Sequence, residues 1–125
     1  MTKTILLVED DQLLRDMYEL KFKKAGYKVY TCENGVQTLE WLASNSADLA
    51  MIDILLPQMN GLQLIKTIRK DPKKSQMHIV ILTNLTESDV NLHSTIRESL
   101  QVDAYFVKSQ ISPSQLVAKI SALLS

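Results

Sequence analysis

Cysteine is almost absent from this chain: Cys32 stands alone among 125 residues. A lone cysteine excludes an internal disulfide and any cysteine-cluster zinc site, and points to a reducing, cytoplasmic setting. Glycine is scarce as well. Gly26, Gly35 and Gly61 are the only three, and none belongs to a glycine fingerprint behind a first strand. That excludes the usual dinucleotide-binding loop, and no Walker A sequence occurs either. No apolar run approaches the roughly 20 residues that a membrane span requires. Met1-Thr2-Lys3 leads directly into an apolar run, which leaves no signal peptide. Neither charge is in excess: 14 basic residues balance 14 acidic ones. The balance gives no electrostatic reason to expect nucleic acid or an anionic membrane as a partner.

What the chain does have is a set of short apolar runs that each end in a polar residue. Ile5-Leu6-Leu7-Val8 runs into Glu9-Asp10-Asp11, and Leu49-Ala50-Met51-Ile52 runs into Asp53. Ile79-Val80-Ile81-Leu82 runs into Thr83, and Ala104-Tyr105-Phe106-Val107 runs into Lys108. Runs of this kind read as buried parallel strands. In open α/β sheets, ligands bind beyond the carboxyl ends of the strands. Carboxylates, one hydroxyl and one ammonium gathered there suit a hard divalent cation and a phosphoryl group.

Strand and helix patterns alternate five times. Leu13, Met17 and Leu20, flanked by Leu14, Tyr18 and Ala25, predict the core-facing stripe of a first helix stopped by Gly26. Lys28–Cys32 reads as a second strand. Val36, Leu39, Leu42 and Ala43 mark a second helix, closed by Ser44-Asn45-Ser46. After Asp53, Pro57 lies in a loop that Gly61 closes. Leu62, Ile65 and Ile68 then mark a third helix that stops before Pro72. Leu92, Ile96 and Leu100 mark a fourth. Pro113 starts a fifth with Leu116, Ile120 and Leu123. The whole, residues 1–125, reads as one (βα)5 domain: a mostly parallel sheet with helices on both faces and no output domain.

Val8-Glu9-Asp10-Asp11, Asp53-Ile54-Leu55-Leu56-Pro57-Gln58-Met59-Asn60-Gly61, Leu82-Thr83 and Tyr105-Phe106-Val107-Lys108 together resemble the receiver domain of two-component response regulators. The resemblance covers the whole chain. It implies a flavodoxin-like sheet of order 2-1-3-4-5 and a phosphorylation-dependent signalling switch rather than an enzyme. By resemblance, Asp53 is the phosphoacceptor. Asp10 and Asp53 bind Mg²⁺ directly, Glu9 binds it through water, and the Leu55 carbonyl completes the ligands. Lys108 and Thr83 meet phosphoryl oxygens, and Thr83 and Tyr105 form the switch pair. The donor is a sensor histidine kinase or a histidine phosphotransfer protein. The output face, made of the fourth helix, fifth strand and fifth helix, serves a downstream protein that the sequence does not name. Taken singly, each residue has a plainer reading: Asp53 as a turn cap, Thr83 as a β-former, Lys108 as a solvated lysine, Tyr105 as a half-buried tyrosine. Asp11 reads as the cap of the first helix. Trp41, His78, His93 and the five methionines read as surface, structural or filler residues.

The chain departs from the family pattern in four places. Ser109 replaces the proline that usually follows the lysine. Asn84 replaces a small residue after Thr83. Gln101-Val102 replaces Gly-Ala before the fifth strand. The Thr83–Lys108 segment is about one helical turn longer than usual. Two other classes compete with the switch. One is a scaffold that keeps the fold without phosphate control. The other is an aspartyl phosphohydrolase, which would place an acid two residues after the nucleophile, where this chain has Leu55.

Overall fold

The structure, a computed structural model, describes residues 2–74, 76–84 and 101–125. Five strands form one parallel sheet: β1 (Thr4–Val8), β2 (Lys28–Cys32), β3 (Leu49–Ile52), β4 (His78–Thr83) and β5 (Ala104–Val107). Their order is β2-β1-β3-β4-β5, as the resemblance implies. Side chains alternate across the sheet because the strand period is two. Leu6, Val8, Ala50, Ile52, Ile79 and Ile81 enter one core. Ile5, Leu7, Leu49, Met51, Val80 and Leu82 enter the other. Burial on both faces is why these strands read as unbroken apolar runs rather than as alternating ones.

The described helices are α1 (Gln12–Lys24), α2 (Gly35–Ser44), α3 (Gly61–Arg69) and α4 (Pro113–Leu124). Leu42 of α2 and Leu64, Ile65 and Ile68 of α3 seal the first core. Tyr18 and Phe22 of α1 and Leu116 and Ile120 of α4 seal the second. Each fully buried aliphatic side chain contributes about 2 kcal/mol by leaving water. The stripe of Leu92, Ile96 and Leu100, with His93, lies outside the described residues.

The expected stripe of α1 is corrected. Leu13 and Leu20 are 81% and 55% exposed, and the buried residues of the helix are Arg15, Tyr18 and Phe22. Leu14 and Met17 pack at the core margin. In α2, similarly, Val36 and Ala43 face outward while Thr38 and Leu42 are buried.

Gly26 does end α1. At φ +99 it allows the Gly26 N–H to reach the Lys23 carbonyl (3.0 Å) and the Tyr27 N–H to reach Phe22 (3.2 Å). These are the paired bonds of a left-handed helix stop, and the Phe22 and Tyr27 rings lie 6.2 Å apart across it. Gln101, in the place of the family's glycine, adopts φ +53. The Lys108–Ser109 peptide is trans.

Candidate phosphoacceptor and cation site

Every predicted site residue but Tyr105, which lies inside β5, is at or just beyond the carboxyl end of a strand. Glu9 and Asp10 follow β1, Asp53 and Leu55 follow β3, Thr83 ends β4, and Lys108 follows β5. Parallel pairing brings those ends together. The Val8 carbonyl accepts the Asp53 N–H at 3.2 Å, and the Cys32 carbonyl accepts the Glu9 N–H at 3.1 Å.

Glu9, Asp10 and Asp53 each offer a carboxylate oxygen, and these oxygens lie within 4.8 Å of one another. Glu9 and Asp53 are buried, while Asp10 is exposed. Lys108 Nζ lies between the buried two, 2.5 Å from Glu9 Oε1 and 2.8 Å from Asp53 Oδ2. The remaining oxygens face backbone amides. Glu9 Oε2 accepts the Asp11 N–H at 3.3 Å, and Asp53 Oδ1 accepts the Leu55 N–H at 3.0 Å. Among the described residues, the Asp10 carboxylate makes no such bond and faces solvent.

Burial pushes the Glu9 carboxyl above its ordinary value, against the pull of Lys108. For Lys108, burial opposes the charge, but hydrogen bonds to Asp53 and Glu9 outweigh it and hold the ammonium above its ordinary value. Three carboxylates facing one ammonium leave an excess of negative charge around an accessible aspartate. That donor set fits a hard divalent cation held by oxygen ligands.

The loop between Asp53 and α3 is set by sequence. Gln58 takes φ +69, and the Gly61 N–H bonds the Ile54 carbonyl at 2.8 Å. A Cβ on Gly61 would lie 2.3 Å from the Asp53 carbonyl oxygen, so only glycine fits. Asn60 caps α3 through a reciprocal pair with Gln63. Leu55, at the expected carbonyl-ligand position, projects a half-exposed side chain beside the site.

Thr83 is fully buried, and Tyr105 is half-buried against the first core. Ile81 pairs with Tyr105 and Thr83 with Val107, which sets Thr83 and Tyr105 on the same face of the sheet. Asp11 caps α1, its carboxylate accepting the Leu14 N–H at 3.1 Å. His78 pairs with Asp103 at 3.2 Å, and Trp41 packs on Tyr30 with ring centres 5.1 Å apart. The sequence reading missed Arg15, whose guanidinium donates to the carbonyls of Glu9 and Asp10. Its signal was the i, i+3, i+7 spacing with Tyr18 and Phe22.

Residues 5–121 match the family model for the response regulator receiver domain. A transcriptional regulatory protein, GltR of Pseudomonas aeruginosa, is 34% identical over 122 residues, covering 98% of this chain and 49% of that protein. The response regulator SaeR of Staphylococcus aureus is also 34% identical, over 97% of this chain and 50% of its own length. The chain thus spans about half the length of the curated relatives it matches. Among solved structures, a CheY-like receiver domain protein from Methanospirillum hungatei superposes with a TM-score of 0.87 at 27% identity, covering 99% of this chain and 94% of that one. A solved structure from Chloroflexus aurantiacus gives 0.87 and 27%, covering 99% and 98%. With this match over residues 5–121 and the strand order in place, the chain belongs to the receiver domains of two-component response regulators.

Proposed function

We propose that Asp53 accepts a phosphoryl group from a phosphohistidine donor, a sensor kinase or a histidine phosphotransfer protein, with Mg²⁺ as cofactor. The observation that carries this reading is the Lys108 ammonium bridging two buried carboxylates beside an exposed third. An Asp53 carboxylate oxygen attacks phosphorus. An O–P bond forms as the P–N bond breaks, and the electron pair leaves with the donor imidazole. Asp10 and Asp53 would hold Mg²⁺ directly and Glu9 through water, with the Leu55 carbonyl as a further ligand. When bound, the ion neutralises and orients phosphoryl oxygens. Lys108 shifts from the Asp53 carboxylate to a phosphoryl oxygen, keeping its charge against the new negative group. Thr83 donates its hydroxyl to another. The shift at Thr83 is passed to Tyr105, whose two positions alter the face around β5 and α4 that a downstream protein reads.

Incubation with Mg²⁺ and acetyl phosphate tests this by mass spectrometry. The wild type is expected to gain one base-labile phosphoryl group, and Asp53→Asn none. Labelling that persists in Asp53→Asn and maps to Asp10 or Asp11 overturns the assignment. Failure of the wild type to label at all favours a scaffold without phosphate control.

A further inference from the structure

An arginine on the inner stripe of a helix is costly unless its donors are met. Arg15 takes that place on α1 and is 9% exposed; among the described residues, the other buried charged ones are Glu9 and Asp53, both of the acidic cluster. Its Nη1 donates to the Glu9 carbonyl at 3.0 Å and the Asp10 carbonyl at 3.4 Å. Its Nη2 donates to Glu33 Oε1 at 3.3 Å. The guanidinium therefore grips the backbone of the two adjacent acids and pairs with a carboxylate outside the cluster. The Glu33 backbone is fixed, its N–H donating to Gln37 Oε1 at 2.8 Å beside the Asn34 cap of α2, while its side chain is 58% exposed.

We infer that Arg15 is a positioning residue for cation binding, holding the Glu9-Asp10 backbone so that both carboxylates face Asp53 before a cation arrives. Glu33 orients the guanidinium. The inference rests on the reading of Glu9, Asp10 and Asp53 as a cation site. Like-charged carboxylates repel one another, so a loop without this grip spreads them apart. Groups behind metal ligands act in this way elsewhere, typically changing affinity by about 10- to 100-fold.

The sign of the effect separates positioning from simple charge. Removing a nearby cation makes the pocket more negative, which by Coulomb attraction alone tightens Mg²⁺ binding. Loss of positioning weakens it. Mg²⁺ titration without phosphoryl donor, followed by amide shifts of Glu9–Asp11, reads the difference. Arg15→Met is expected to weaken half-saturation by about 10-fold. Arg15→Lys keeps the charge but loses the two-nitrogen fork, and weakens it by a smaller factor. Glu33→Gln weakens it least. At saturating Mg²⁺, acetyl phosphate labels Asp53 in each variant at close to the wild-type rate. If Arg15→Met does not fold, Arg15→Lys carries the same test, since Coulomb attraction alone predicts no change for a charge-conserving variant. Unchanged or tighter Mg²⁺ binding in folded variants, or a labelling defect that saturating Mg²⁺ does not repair, overturns the role of Arg15 alone. A wild type that binds no Mg²⁺ removes the cation site itself, and the inference with it.

Discussion

Lys108 and its two carboxylate partners are almost withdrawn from water, with side-chain exposures of 8%, 2% and 6% for Lys108, Glu9 and Asp53. Removing the ammonium alone leaves two buried carboxylates facing each other. Lys108→Met is expected to destabilise the metal-free protein by about 3 kcal/mol at neutral pH. The pH dependence follows from Glu9, whose folded-state value is raised chiefly by burial. A raised group contributes stability that is present below its unfolded value and lost as pH rises through its folded value. Without Lys108, Glu9 rises further, so the deficit shrinks as pH falls from neutrality toward the ordinary glutamate range. Urea unfolding in a chelator at two pH values checks this; equal deficits at both contradict it. Gln101 supplies a second test. It holds φ +53, and its carbonyl is tied to Arg69 Nη2 at 3.0 Å. Gln101→Gly relieves a left-handed strain and is expected to stabilise by about 1 kcal/mol. Gly61→Ala does the opposite. The added Cβ meets the Asp53 carbonyl, and a loss of about 3 kcal/mol should accompany slower labelling of Asp53.

At the scale of elements, each described helix starts on a side chain that takes an orphan amide: Asp11, Asn34, Asn60 and Ser112. Ser112 and Gln115 form a reciprocal box across Pro113 at the start of α4, and neither hydrogen-bonds a carboxylate of the acidic cluster. Ser112→Ala should therefore cost about 1 kcal/mol in thermal unfolding and leave the Mg²⁺ titration unchanged. A shifted titration would tie the start of α4 to the cation site. The strands were legible in the sequence because parallel strands buried on both faces leave unbroken apolar runs. Their polar trailing residues then placed Glu9, Asp10, Asp53, Thr83 and Lys108 at one edge before any coordinates. The inner face of α1 was legible only in outline: Arg15 shares a stripe with Tyr18 and Phe22, but an apolar pattern does not mark it as buried. Leu13 and Leu20 fit an apolar period, whereas Arg15 counts as polar in any such pattern. The carbonyls of Glu9 and Asp10 and the Glu33 carboxylate make its burial favourable, and the carbonyls depend on how β1 turns into α1. Val36 misled for the same reason, since Thr38 satisfies its hydroxyl on the Asn34 carbonyl at 2.8 Å and so can be buried in its stead.

Across the whole molecule, a ligand that binds only the folded chain stabilises it by mass action, about 2.7 kcal/mol at a hundredfold excess over its dissociation constant. Mg²⁺ should accordingly raise the melting temperature of the wild type. Asp10→Asn should melt no lower than the metal-free wild type, since one like charge is gone, yet gain nothing from Mg²⁺. A Mg²⁺-dependent rise in that variant would remove Asp10 from the ligand set. The contacts that assemble the site are far apart in the chain: Lys108 reaches Asp53 across 55 positions and Glu9 across 99. β1, β3 and β5 must all be docked before the three side chains meet, with β4 closing the gap between β3 and β5. Chemistry placed this way works as a checksum on folding. A nascent chain, a nicked chain or one whose last strand has peeled away holds every residue of the candidate site but cannot bring them together. The acidic cluster and its lysine thus meet only in the folded chain.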